Sequence, residues 1–308
     1  MVPDATFTSY YGRPIVKASP WERDIPAYLF LGGLAAGSSL LGAGADLTGR
    51  PALRRNSRVA ALATISVSFA LLVHDLGRPA RFVNMLRVAK PTSPMSVGTW
   101  ILTGYAPLAA LAALAEGRDL LPCRLSWVAG LLRLGARPAG LGAALLAPAI
   151  ASYTAVLLTD TATPTWHDAH EHLPFVFVGS ASAAAGGLGL LASPLSESAP
   201  ARRFALGGAL LELAVEHRME QAMGLTVEPL RQGSAGRLMR ASKALTAAGA
   251  LGAAVSRRSR LLSGLSGVAL LAGSACMRFG VFEAGQESTR DPKYVVVPQR
   301  ERMAARGA

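Results

Sequence analysis

The residues best suited to chemistry in this chain are its five histidines and the acids beside them. His74 is followed directly by Asp75. His167, His170 and His172 share the run WHDAHEH with Asp168 and Glu171, and His217 stands apart. Histidine changes charge near neutral pH, so such groups serve proton-coupled reactions. His74 and Asp75 close an apolar run, and an ionisable residue at a membrane boundary is a functional candidate by default. This pair is assigned the catalytic role; its bland counterpart is an Asp75–Arg78 pair locking a tight turn. In WHDAHEH, His167, His170 and Glu171 could meet one zinc ion. The run lacks the HExxH spacing, and acids there suit the dipole of a helix that starts nearby. No metal site is assigned, and contact with a partner or a proton path is the preferred role. Asp160 and Glu212 are the candidates for a proton path. Glu212 and Glu216 lie one turn apart on one helix face, where pairing with Arg202, Arg203 or Arg218 is the favoured reading.

These residues need elements to position them, and composition says which kind. Of the 308 residues, 51% are hydrophobic and 16% charged, against about 25% charged in ordinary soluble domains. Crossing the hydrocarbon core takes about 20 apolar residues, and backbone groups there must pair internally. Period-two alternation is absent, so the expected fold is an all-α integral membrane protein. Eight apolar segments can be marked: Pro26 to Asp46, Val59 to Leu76, Val97 to before Glu116, Leu141 to Thr159, Leu173 to Ala192, Phe204 to Val215, Ala241 to Val255 and Leu261 to Phe279. The sixth and seventh are short. Residues 122–138 read as an amphipathic interfacial helix, because Arg124, Arg133 and Arg137 interrupt its apolar run. The expected organisation is a polar N-terminal segment (1–25), an eight-helix transmembrane domain (26–282) and a polar C-terminal tail (283–308). The N-terminal segment lacks the plan of a cleaved signal peptide, so the first helix is expected to direct insertion.

Eight crossings put both termini on one side. Every histidine falls on that side, at a helix end or loop, together with Arg78, Arg81, Arg87 and Lys90. The internal loops of the opposite side hold 13 of the 31 Lys and Arg, against nine on the terminal side with Lys243 at the start of the seventh segment included. The positive-inside rule then places the termini outside the cytoplasm, in a plasma membrane. The formal charge of +12 suits anionic lipid or an acidic partner rather than nucleic acid. Cys123 and Cys276 fit no CxxC spacing, so the chain holds no iron–sulfur cluster unaided.

The segment HDLGRPARFVNMLRVAKPTSPMSVGTW, residues 74–100, carries DLGRP, RF and PTSPMSVGTW in this order. Together with PAYLFLGGLAAGS at 26–38, YTAVLL at 153–158, and Pro164 with Trp166, it resembles the NrfD/polysulfide reductase membrane-subunit family. The similarity runs from Trp21 through the fifth helix. It implies two four-helix bundles without a haem or iron–sulfur cluster of their own. It further implies menaquinone or ubiquinone as diffusible substrate, a ferredoxin-like iron–sulfur subunit as partner, and beyond it a molybdopterin-type catalytic subunit. The matching quinone-site positions are Tyr28, His74, Asp75 and Tyr153. Some members have Asn or His near the start of the first helix; this chain has neither between Trp21 and Gly37.

Quinone reduction takes two electrons and two protons. On this reading Tyr153 hydrogen-bonds a carbonyl, His74 supported by Asp75 exchanges a proton, Tyr28 closes the pocket and Trp100 packs against the ring. Arg78, Arg81, Arg87, Lys90, Trp166 and His167 form the docking face. A b-type cytochrome would need histidines inside the spans. An ion or solute transporter would need polar groups at mid-membrane, where Glu212 is the main exception. A purely structural membrane anchor is the third alternative.

Overall fold

Helix ends in this chain are written in proline, glycine and serine. Pro51, Pro94, Pro164 and Pro174 stand in the first turns of their helices, where a missing N–H leaves no bond unmade. Ser93 caps the helix that Pro94 begins and Ser259 caps one more, their hydroxyls accepting from Ser96 N and Leu262 N. Gly77, at φ +67°, ends the second helix in the left-handed conformation that glycine adopts without strain.

The computed structural model describes residues 14–120, 122 and 125–307. Cys123 and Arg124 lie outside the described residues, as does the N-terminal segment up to residue 13. In chain order the helices are α1 (Asp24–Leu47), α2 (Pro51–Asp75), α3 (Arg81–Met85), α4 (Pro94–Leu114), α5 (Ser126–Thr159), α6 (Pro164–Asp168), α7 (Leu173–Ala192), α8 (Ala199–Ala222), α9 (Glu228–Arg231), α10 (Gly233–Val255), α11 (Arg260–Ser288) and α12 (Lys293–Gly307). The described residues contain no strand.

Six of these helices are long and apolar enough to cross a membrane: α1, α2, α4, α5, α7 and α11. The chain is a multi-pass membrane protein. Outward-facing Leu134, Leu145, Leu210 and Leu251 are exposed, as lipid-facing side chains should be. The sixth and seventh segments prove much longer than their apolar runs, as α8 and α10. Charges at Arg202, Arg203, Glu212, Glu216, Arg240 and Lys243 interrupt the hydropathy without interrupting the helix. Residues 126–138 do not form a separate interfacial helix. They are the first turns of α5, which continues through Pro138 and Pro148.

Hydrogen bonds gather the helix ends at two poles. At one pole Gln286 donates to the Ser19 and Trp21 carbonyls, Trp166 Nε1 to the Val281 carbonyl, and Thr165 Oγ1 to the Thr226 carbonyl. These join the start of α1, the loop after α5 and the end of α11. At the other pole Asn56 donates to the Ala192 carbonyl, Arg260 to the Leu190 and Ser193 carbonyls, and Glu197 accepts from Leu53 N. The same pole holds an ionic cluster in which Arg58 meets Asp46 at 3.3 Å and Glu116 at 2.7 Å, and Arg54 meets both.

Between the poles, α1 and α7 are the most enclosed helices. Lipid supplies no hydrophobic drive between helices, so close backbone approach must hold them, and small residues allow it. A Cβ on Gly186 would sit 2.5 Å from Ala205 N and 2.7 Å from the Ala201 carbonyl oxygen, whereas one on Gly207 would meet nothing within 4 Å. Gly186→Val is therefore expected to lower stability by about 1–3 kcal/mol through overpacking. Gly207→Val should leave it unchanged, and thermal melts in detergent will compare the two. Outside the spans, α12 is tied to α9 by Lys293, 2.8 Å from Glu228, and by Tyr294 Oη, 3.2 Å from it. The lysine hydrogen bond holds the Glu228 carboxyl below its usual range.

Candidate functional site

A slot opens among the ends of α1, α2, α4 and α5 at the first pole. Trp21, Ile25 and Tyr28 line it from the start of the chain's first helix and the residues before it. Leu72, Asp75 and Leu76 come from the end of α2, Met95, Gly98, Thr99 and Leu102 from the start of α4, and Tyr153 and Leu157 from α5. Phe82 and Met85 of the short α3 complete it. The sequence brings these together because α2 stops at Gly77 and α3 fills the connection to Pro94. Phe82 packs edge-on against Phe69 of α2, with ring centroids 4.8 Å apart. No residue of α3 is buried, so this cover is the loosest wall.

The slot is apolar with few polar groups, the usual character of a ligand site. Its cavity holds about 60 Å³. The hydroxyls of Tyr28 and Tyr153 meet inside it. Tyr28 is 3% exposed, and its carbonyl accepts from Ser68 Oγ at 3.0 Å, which fixes α1 on α2 at this level. Tyr153 lies over Gly98, where a Cβ would occupy the position of the ring edge. Tyr105, fully buried, bonds Ser39 Oγ at 2.7 Å and the Ala35 carbonyl at 2.8 Å and holds α4 against α1. Among the described residues Asp75 is the only charged side chain lining the slot.

Tyr28, Tyr153 and Asp75 thus come together, while the other candidates are placed elsewhere. His74 Nδ1 lies 2.5 Å from Asp24 Oδ2 of α1 and not on Asp75, with 81% of its side chain exposed. It lines a neighbouring cavity with Glu22, Arg23 and Asp24, and Trp21 borders both cavities. Successive residues near the end of a helix point in different directions, so adjacency in sequence does not make His74 and Asp75 one unit. Trp100 is exposed and gives its indole N–H to the Val88 carbonyl at 3.4 Å, outside the slot lining.

Arg78, Arg81, Arg87 and Lys90 are all exposed on the α2–α4 connection. Trp166 is completely buried, packed 6.1 Å from Trp21 and 5.5 Å from Phe282. It has no surface with which to meet a partner, so the docking role given to it from sequence is corrected to an anchor of α6 on α11. His167 is exposed and stacks on His170 at 5.8 Å. Among the described residues no group of three His, Cys, Asp or Glu side chains is arranged to hold a metal. Asp160 is exposed, beyond the slot. Glu212 and Glu216 are buried in α8. Glu216 meets Lys243 of α10 at 3.6 Å, and neither glutamate pairs with Arg202, Arg203 or Arg218.

Sequence reasoning missed Trp21, Asp24, Gly98 and the α3 pair Phe82 and Met85. Trp21 had a usable signal, an aromatic just outside the first span; the others matter only through what they touch.

The family model described as "Polysulphide reductase, NrfD" matches residues 15–202. That stretch includes every residue lining the slot. No curated protein matches the chain.

Proposed function

The chain belongs to the NrfD polysulphide reductase family, and on that basis we propose that it is the quinone-reactive membrane subunit of an oxidoreductase complex. It exchanges electrons between menaquinone or ubiquinone in the bilayer and a ferredoxin-like iron–sulfur subunit, behind which stands a molybdopterin-type catalytic subunit. The observation that carries this reading is the apolar slot in which two tyrosine hydroxyls meet and which Asp75 also lines.

In this reading Tyr153 and Tyr28 offer hydroxyls to a quinone carbonyl, and Asp75 gives and receives the proton at the ring. His74 and Asp24 stand outside as the exchange point with water, and Trp21 lies between the two cavities. A cavity of 60 Å³ is well below the roughly 300 Å³ of ordinary ligand sites, so α3 must move for a ring to enter. Exposed Arg78, Arg81, Arg87 and Lys90, together with His167, would meet an acidic partner face. We further read α8 and α10 as crossings. At 24 and 23 residues they are about 35 Å long, enough for a core of about 30 Å. This gives eight spans in two groups of four, α1, α2, α4 and α5 beside α7, α8, α10 and α11. The excess of loop arginines at the second pole favours termini outside the cytoplasm.

The assembled complex tests the site. Gly98→Ala pushes the Tyr153 ring aside. It is expected to lower quinol-linked turnover about 10- to 100-fold, while electron transfer from an artificial dye to the partner subunits is unchanged. Full quinol turnover in that variant would move the site away from Tyr153 and favour a structural anchor.

A further inference from the structure

The second half of the molecule contains a line of charge that the slot does not use. Glu212, Glu216 and Glu220 of α8 are spaced four residues apart, so they share one face at about 6 Å per step. Glu220 stands at the outer end. It receives Lys243 at 2.5 Å and Arg231 at 3.3 Å, and the side chains of Lys243 and Arg231 are 39% and 56% exposed. Lys243 also reaches Glu216, at 3.6 Å. Glu212 and Glu216 are each 1% exposed, and none of their four carboxylate oxygens has a hydrogen-bonding partner among the described residues.

The inner end is Arg278 of α11, also 1% exposed. It is held by the Phe177 carbonyl at 2.9 Å and lies 3.6 Å over the Phe177 ring. Its guanidinium reaches Gly33 of α1, where a Cβ would come within 3.2 Å of it. Among the described residues Arg278 makes no direct contact with Glu212, although the two charges act on each other at longer range. A carboxylate without donors in an apolar interior is costly as an ion, and an ionisable residue in a span is retained for a task rather than for packing.

We propose that Glu212 is an intramembrane proton-accepting site, loaded from the aqueous face at Glu220 and Lys243 by way of Glu216, with Arg278 closing its inner end. A proton from water passes to a Glu216 oxygen and then to a Glu212 oxygen, which changes from −1 to neutral; no bond other than O–H is made or broken. The loading face is the pole that also holds the quinone slot. The charged groups facing the site are Arg278 from α11, Lys243 from α10, Arg231 from α9, and Glu216 and Glu220 from α8 itself. α7 brings no titratable side chain, only Ser180, whose hydroxyl lies beside the Glu212 carboxyl and donates to Ser274 at 2.8 Å.

Dicyclohexylcarbodiimide, which reacts with protonated carboxyls in apolar surroundings, tests this on the full chain in native membranes with peptide mass spectrometry. The expected result is an adduct on Glu212 that falls about tenfold or more between the acid and the alkaline end of a pH series, because only the protonated carboxyl reacts. In Glu216→Gln the fall should move to lower pH, because the nearest like charge is gone. No adduct on Glu212 at any pH, or one indifferent to pH, would overturn the proposal and leave Glu212 as a fixed counter-charge to Arg278. No quinone or partner takes part in the labelling, so its failure leaves the slot reading standing, and failure of the slot reading leaves this site standing.

Discussion

Asp75→Asn is expected to reduce quinol-linked turnover of the assembled complex about 100-fold or more, the scale on which a positioned acid or base acts. Among the described residues Asp75 is the only charged group lining the slot, so none of them can replace it there. The amide keeps the shape of the carboxyl and one acceptor oxygen, turns the other into a donor NH2, and can no longer take up or release a proton near neutral pH. Loss of turnover with unchanged complex yield therefore reports chemistry rather than folding. Dye-linked reduction of the partner subunits should be preserved, since that path does not pass through the slot. Asp75→Glu should recover part of the rate. Undiminished quinol turnover in Asp75→Asn would remove Asp75 from the mechanism and return attention to the exposed His74–Asp24 pair. His74→Ala alone is expected to have the smaller effect, because a side chain 81% exposed can be bypassed by water.

The second large effect concerns stability at the other pole. Arg58 is 6% exposed and joins α2 to Asp46 of α1 and to Glu116 beyond the end of α4. Its guanidinium lies so close to Gly140 of α5 that a Cβ there would come within 2.7 Å. Four helices therefore converge on one cation. Arg58→Ala removes the charge and leaves Glu116 with Arg54 alone, itself 27% exposed, and Asp46 with Arg54 and the outlying Arg137. Breaking a buried pair from one side costs about 3–5 kcal/mol, because the remaining charge is left without compensation. Arg137, 67% exposed and 4.0 Å from the same Asp46, is the internal control. Its removal should cost less than about 1 kcal/mol, as for other exposed pairs. Thermal unfolding of the two variants in the same detergent separates these values. Equal melting points would show that the cluster is solvated and contributes little.

Much of this protein was legible in its sequence, for a physical reason. A bilayer asks for long apolar helices, and hydropathy along a chain is a local property. The fifth segment, Leu173 to Ala192, coincides with α7 to the residue, and the all-helical membrane architecture follows from the same runs. The motifs around residues 74–100 likewise pointed to the NrfD family, because they are contiguous. Tertiary structure alone decided the rest. Hydropathy shortened α8 and α10 because it counts a charge as a break, whereas Glu216 and Lys243 compensate each other across two helices. Arg278, at the end of an apolar run, carries no local sign that it turns inward. The sequence paired His74 with Asp75 because they are neighbours. The fold gives His74 to Asp24, fifty residues away, and places Asp75 in the lining of the slot, its carboxyl held by the backbone N–H at Glu22. Which residues form a helix is settled within the chain; which faces of two helices meet depends on the small residues that let them approach and the charges that must be matched once they do.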